Sequence, residues 1–195
     1  KMNKINLIEL YKKESTDVFN NIPTQDIVEF VDMVFDVYEN EGTIFAAGNG
    51  GNVASVQNLV VDLNMHPFVS EDKGKQTVPR NKFKCVSLCS DQATITGVSN
   101  DLGYEHIFSE QLKYQGNSGN VLKAMEVAKE KGMKTILVTR NIVNNCAKYS
   151  DLMISLEGRS TFPGQTGGNN NNFHFEDILS KITHISVGLL KEKVS

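Results

Sequence analysis

Tryptophan is absent from this sequence, and its 195 residues hold only four prolines and three cysteines. Cys85, Cys89 and Cys146 form no CxxC pair and are odd in number, which excludes a disulfide framework and suits a reducing compartment. No apolar run approaches the roughly 20 residues that cross a bilayer. The first residues lack the apolar stretch of a secretion signal. A cytoplasmic chain with no membrane partner is therefore expected. The charge is nearly balanced at −3, and the basic stretch over residues 73–84 is interrupted, so it reads as a solvated loop. Nucleic acid is not an expected partner. A hydrophobic fraction of 39% in a chain this long is enough for one full core. With no internal repeat and no composition break, residues 1–195 read as a single domain.

Short apolar runs and helical periods alternate along the chain. Residues 4–21 carry Ile5, Ile8, Tyr11, Val18 and Phe19 at helical spacing, and Ile22-Pro23 ends that pattern. Thr24 is placed to cap a second helix with Ile27, Phe30, Val31, Val34 and Tyr38 on its buried side. Residues 1–41 are thus a helical pair leading into the domain. Strands follow at 43–47, 84–88, 135–139 and 152–156. Helices follow at 52–65, 104–113, 119–131 and 172–192. This alternation predicts an α/β fold with a parallel sheet covered on both faces. Residues 66–82 and 157–172 read as polar loops. One junction breaks the pattern: the helix ending near Gln115 meets the next one, opened by Gly116-Asn117-Ser118-Gly119, with no strand between them.

Gly48-Asn49-Gly50-Gly51 lies between the first strand and a helix, where backbone N–H groups can meet an anion such as phosphate. A plain tight turn has the same signature. Asn52 sits at the expected N-cap. Val53 occupies the third glycine position of a GxGxxG turn, and no Gly-Lys-Ser/Thr follows, so no nucleotide is expected. Asn58 and Asp62 share a face of the helix that leads away from the turn, which puts Asp62 near whatever the turn binds. Its apolar neighbours Leu59, Val60, Val61 and Leu63 suit a general base, and a carboxylate tied to a neighbouring loop fits the same pattern. Glu176, Asp177 and His184 lie on the last helix, Asp177 aligning slightly better than Glu176 with His184. Asn100-Asp101 before Leu102-Gly103 reads as a turn on the rim where α/β folds place ligands. Ser118 can donate to a phosphate or cap its helix.

Four segments in this order carry a resemblance: Gly48-Asn49-Gly50-Gly51 after a strand; Ser99-Asn100-Asp101-Leu102-Gly103-Tyr104; Gly116-Asn117-Ser118-Gly119-Asn120-Val121-Leu122-Lys123-Ala124; and Glu176-Asp177 with His184. Together they resemble sugar isomerase (SIS) domain proteins of the phosphoheptose isomerase type, over nearly the whole chain. The resemblance implies a flavodoxin-like three-layer αβα sandwich and a homotetramer with active sites shared between subunits. It implies conversion of sedoheptulose 7-phosphate to the aldoheptose 7-phosphate through an enediol, a step in heptose biosynthesis. It assigns Asn49, Gly50, Gly51, Asn100, Asp101 and Ser118 to substrate, Glu176 to the place of a substrate-binding glutamine, and His184 to catalysis. Asn52, whose amide can add to the turn's donors, joins the substrate residues, and Asp62 is the expected general base.

This sequence departs from that pattern in three places. Asn58 and Asp62 stand where the familiar enzymes carry His and Glu able to bind zinc, and Glu176 stands where they carry Gln. Asp62, Glu176 and His184 are the remaining candidate ligands for zinc or another divalent metal. The strand and serine-rich turn that the resemblance places before the Gly-Asn-Ser motif are missing between Tyr114 and Ser118. Two rival readings follow from these departures: a non-catalytic SIS module that senses a phosphosugar, and a protein of this family that binds a replication initiator.

Overall fold

The computed structural model describes residues 2–72, 74, 81–115, 121–140, 143–165 and 170–194, with the backbone alone for 113–115. Helices α1 (Lys4–Asn20) and α2 (Thr24–Glu39) come first. Strand β1 (Ile44–Ala46) then runs through the glycine turn into α3 (Asn52–Met65). After β2 (Cys85–Ser87) come α4 (Gln92–Asp101), α5 (Ile107–Gln115) and α6 (Val121–Glu130). Strands β3 (Ile136–Thr139) and β4 (Leu152–Ser155) precede the long helix α7 (Asn172–Val194). All four predicted strands are present, each slightly shorter than its apolar run.

Three local expectations are corrected. Residues 92–101 form helix α4, whose sequence of Thr, Ile, Val and Gly is poor helix material. Asp91 starts it as N-cap, accepting from the backbone N–H groups of Ala93 and Thr94 at 3.1 and 3.2 Å. Asn100 and Asp101 are therefore the end of a helix and not a turn. Asn52 is the first residue of α3, with Gly51 as N-cap, and Thr24 likewise lies inside α2 after the N-cap Pro23.

The strands pair in parallel, β1 with β2 and β3 with β4, Ile44 opposite Cys85 and Ile136 opposite Leu152. Among the described residues these are two separate pairs. Asn64 of α3 closes the edge of β2 with its carboxamide. It donates to Cys85 O and accepts from Cys85 N, both at 2.8 Å, copying the bonds of a neighbouring strand. Between β1 and β3 lies a cavity of about 450 Å³, lined by both strand edges and by Val34, Leu59, Ala124 and Leu179 from four helices. A further strand there would join the two pairs into one sheet. Residues 116–120, at the junction that breaks the alternation, lie outside the described residues.

The larger core joins Val18, Val31 and Val34 of the leading helices to Leu63, Ile154, Ile178 and Leu190. A second core gathers Leu88, Phe108, Leu112 and Ala124 under the C-terminal ends of β1 and β2. Burial of this apolar area supplies the main stabilisation.

A buried polar cluster sets where α7 begins. Glu14 of α1 accepts from Ser160 Oγ at 2.6 Å, Thr161 N at 2.8 Å and Thr161 Oγ1 at 2.9 Å. His174 Nε2 of α7, on a fully buried ring, lies 3.3 Å from the same carboxylate. Asn171 Nδ2 donates to Leu156 O at 3.0 Å, and Gln165 Oε1 accepts from Phe173 N at 2.6 Å. Burial pushes the Glu14 carboxyl up, but the bonds from Ser160, Thr161 and His174 outweigh it and hold the group at about 2 against an ordinary 4.5. A carboxylate so lowered stabilises the fold above its unfolded value and loses that contribution as pH falls towards 2. Glu14→Gln is therefore expected to cost about 2 kcal/mol at pH 7. The gap to wild type should shrink steadily between pH 5 and pH 2, read from urea midpoints across that range. A gap independent of pH would contradict the assignment.

Candidate functional site

The glycine turn reverses the chain at the C-terminal end of β1, with Gly50 at φ 60°. Its own carbonyls accept the first N–H groups of α3. Asn52 N bonds Asn49 O at 3.2 Å, Val53 N bonds Gly50 O at 3.1 Å, and Ala54 N bonds Gly51 O at 3.1 Å. The helix start thus offers an anion fewer free donors than the strand–turn–helix pattern predicts. Cys89 clamps the first glycine, its thiol accepting from Gly48 N at 3.4 Å and donating to Gly48 O at 3.3 Å. Burial pushes that thiol above its ordinary range.

Gly51 allows a close approach. The carboxylate of Glu176 lies directly against the turn, where a Cβ would push that flexible side chain aside. Glu176 puts a negative charge at the positive end of α3. Beside it, Asp177 Oδ2 accepts from Tyr11 Oη at 2.6 Å. Partial burial, the bond to Asp177 and the charges of Asp177 and Glu176 all push the Tyr11 hydroxyl up, so it stays a donor. Asp177 is turned to α1 and not to His184. Tyr11 and Asp177 are 166 residues apart, and no local pattern announces their contact.

Asp62 and His184 meet farther along the same two helices. His184 Nε2 lies 3.5 Å from Asp62 Oδ2, and Asn58 Nδ2 donates to that oxygen at 3.1 Å. Asp62 Oδ1 bonds no described residue. The Asp62 side chain is 15% exposed and that of His184 67%. A partly buried acceptor beside an open imidazole can take a proton from one atom and return it at another. Asn58 restrains the carboxylate through its neutral amide.

Helix geometry sets how far Asp62 and His184 stand from the turn. Asp62 lies eleven positions beyond Gly51, about 16 Å at the helical rise. His184 lies eight positions beyond Glu176 on α7, about 12 Å. One chain therefore carries two groups: Asn49, Gly50, Gly51 and Glu176 at the turn, and Asn58, Asp62 and His184 beyond it. The proposed metal set of Asp62, Glu176 and His184 is not assembled within one chain. Among the described residues no three His, Cys, Asp or Glu side chains are grouped to hold an ion. Two donors and an amide do not fit a closed zinc site.

Asn52 lies at the turn, its buried Oδ1 without a partner among the described residues. Asn100 and Asp101 are exposed, Asn100 Nδ2 donating to Asp101 Oδ1 at 2.9 Å. Ser118 lies outside the described residues. Tyr104, which had no role in the sequence reading, reaches the turn and bonds Asn49.

No protein-family model matches the chain. It is 31% identical over 203 residues to the phosphoheptose isomerase of Vibrio vulnificus, covering 93% of this chain and 94% of that protein. It is 30% identical over 144 residues to that of Helicobacter pylori strain P12, covering 67% and 70%. The structure of the phosphoheptose isomerase from Neisseria gonorrhoeae superposes with a TM-score of 0.75 over 97% of this chain and 100% of that one, at 20% identity. That likeness establishes the fold, an α/β arrangement with parallel strands. The sequence relatives establish more: the chain belongs to the phosphoheptose isomerase family.

Proposed function

We propose that this chain is an aldose–ketose isomerase acting on a phosphosugar, with sedoheptulose 7-phosphate as substrate and D-glycero-D-manno-heptose 7-phosphate as product. The observation that carries the reading is the Asp62–His184 pair, 3.5 Å apart, with the other carboxylate oxygen bonded to no described residue. Asp62 Oδ1 takes the proton from C1 of the ketose as His184 protonates the carbonyl oxygen on C2, giving the 1,2-enediol. Loss of the O1 proton and return of a proton to C2 complete the aldose, with no net gain or loss of protons. Glu176 and Asp101 accept from hydroxyl groups of the substrate, and Asn49, Asn100 and Ser118 donate to its hydroxyl or phosphate oxygens.

A second copy of the chain completes the site in this reading, as part of a homotetramer. The two groups of side chains stand about 12–16 Å apart along one chain. The Asp62–His184 pair is bordered by exposed Val61 and Met65 on α3 and by exposed Ile185 and Leu189 on α7. Apolar side chains grouped around an open catalytic histidine suit a protein interface. Residues 1–195 act as one SIS domain, since the leading helices share the larger core with α7. Three free thiols and a phosphorylated substrate fit a cytoplasmic location. Among the described residues no helix is long and apolar enough to cross a membrane.

Turnover of sedoheptulose 7-phosphate, measured with and without added zinc, tests the function. Isomerisation is expected, and Asp62→Asn or His184→Ala should each lower kcat by about 10²–10⁴ while leaving the melting temperature within a few degrees. Full activity in both variants would overturn the assignment. No turnover with either metal condition would favour the phosphosugar-sensing module, which the change to Asn58 suits. Leu189→Lys should shift the chain to smaller species on size exclusion and lower kcat/KM with them. An unchanged elution volume would remove α7 from the interface.

A further inference from the structure

Tyr104 joins the two substrate segments of the chain. Its hydroxyl donates to Asn49 Oδ1 at 3.3 Å, across 55 residues of sequence. Gly103, at φ 103°, bends the chain so that residues 104–106 start a tight helical turn, with His106 N bonded to Gly103 O at 3.0 Å. That bend aims Tyr104 back over the glycine turn. The side chain is otherwise open, with 59% of the residue exposed. An aromatic so exposed packs little, so its contribution to the fold is small. Its one bond acts on the orientation of Asn49.

A carboxamide has an acceptor end and a donor end of nearly equal size, and rotation exchanges them at little cost. With Oδ1 held by Tyr104, Asn49 turns its Nδ2 to the other side as a donor. That Nδ2 bonds no described residue. Glu176, an acceptor when ionised, already borders the turn at Gly51. The two side chains thus offer a ligand complementary ends: Asn49 a donor for an oxygen, Glu176 an acceptor for a hydroxyl.

We propose that Tyr104 is a positioning residue that locks the Asn49 carboxamide as a donor to an oxygen of the phosphosugar bound at the glycine turn. The inference rests on the phosphosugar isomerase reading for its ligand. Without the tyrosine hydroxyl the amide is free to present its carbonyl to the same oxygen.

A double-mutant cycle tests it, with wild type, Tyr104→Phe, Asn49→Ala and the double variant. KM and kcat are measured on sedoheptulose 7-phosphate, and Kd for the same sugar phosphate by calorimetry. Tyr104→Phe keeps the ring and removes only the hydroxyl. It should raise KM and Kd about fivefold, the weight of one hydrogen bond, with kcat within twofold. In the Asn49→Ala background the same change should do nothing. Equal effects in both backgrounds would overturn the proposal. So would unchanged KM and Kd, or a fall in kcat at constant KM. Loss of turnover in wild type with the binding cycle intact would overturn the isomerase reading and leave the role of Tyr104 standing. No measurable binding to wild type would overturn both.

Discussion

Helix α7 carries Glu176, Asp177 and His184, so the site depends on where that helix starts. Its start is fixed by a buried carboxylate. Glu14 gathers Ser160, Thr161 and His174 around one charge, tying the first helix, the loop after β4 and the first turn of α7 together. A buried charge is costly without partners, and this one has four donors in reach. The direction of the bonds is as informative as their number. Hydroxyl, amide and imidazole groups from separate segments can converge on one anion only if those segments hold one relative position.

From that anchor α7 runs alongside α3, and the two helices meet twice. At their starts the carboxylate of Glu176 lies on Gly51, where the missing Cβ leaves it room. Farther on, His184 faces Asp62. The spacing between the meetings follows from helical rise and divides the functional residues of one chain into two groups. Exposed apolar residues border the second meeting, and in the proposed reading a second copy of the chain covers them.

Chemistry at the second meeting is altered in a consistent way. Asn58 cannot supply the imidazole that a zinc site prefers, and its amide instead donates to Asp62. The result is a carboxylate with one oxygen restrained and the other bonded to no described residue, beside an open histidine. Such a pair can transfer protons by itself. At the turn, Glu176 replaces a neutral amide by a charge, which favours hydroxyl groups as neighbours over a second anion.

Much of the fold and part of the site could be read from the residues. The βα alternation, the glycine turn, the Asn58–Asp62 spacing and the run of α7 are local, period-governed features, and short apolar runs between breakers locate strands well. Helix α4 escaped because its Thr, Ile, Val and Gly residues argue against helix, and only the cap at Asp91 speaks for it. By itself the sequence determined which side chains share a helix face and which turn can bend. Tertiary structure alone decided that Asp62 meets His184 and not the turn, that Glu176 meets Gly51, that Asp177 turns to Tyr11, and that Tyr104 reaches Asn49. Those contacts join residues tens to more than a hundred positions apart. They are set by how whole helices pack, and no local periodicity encodes that.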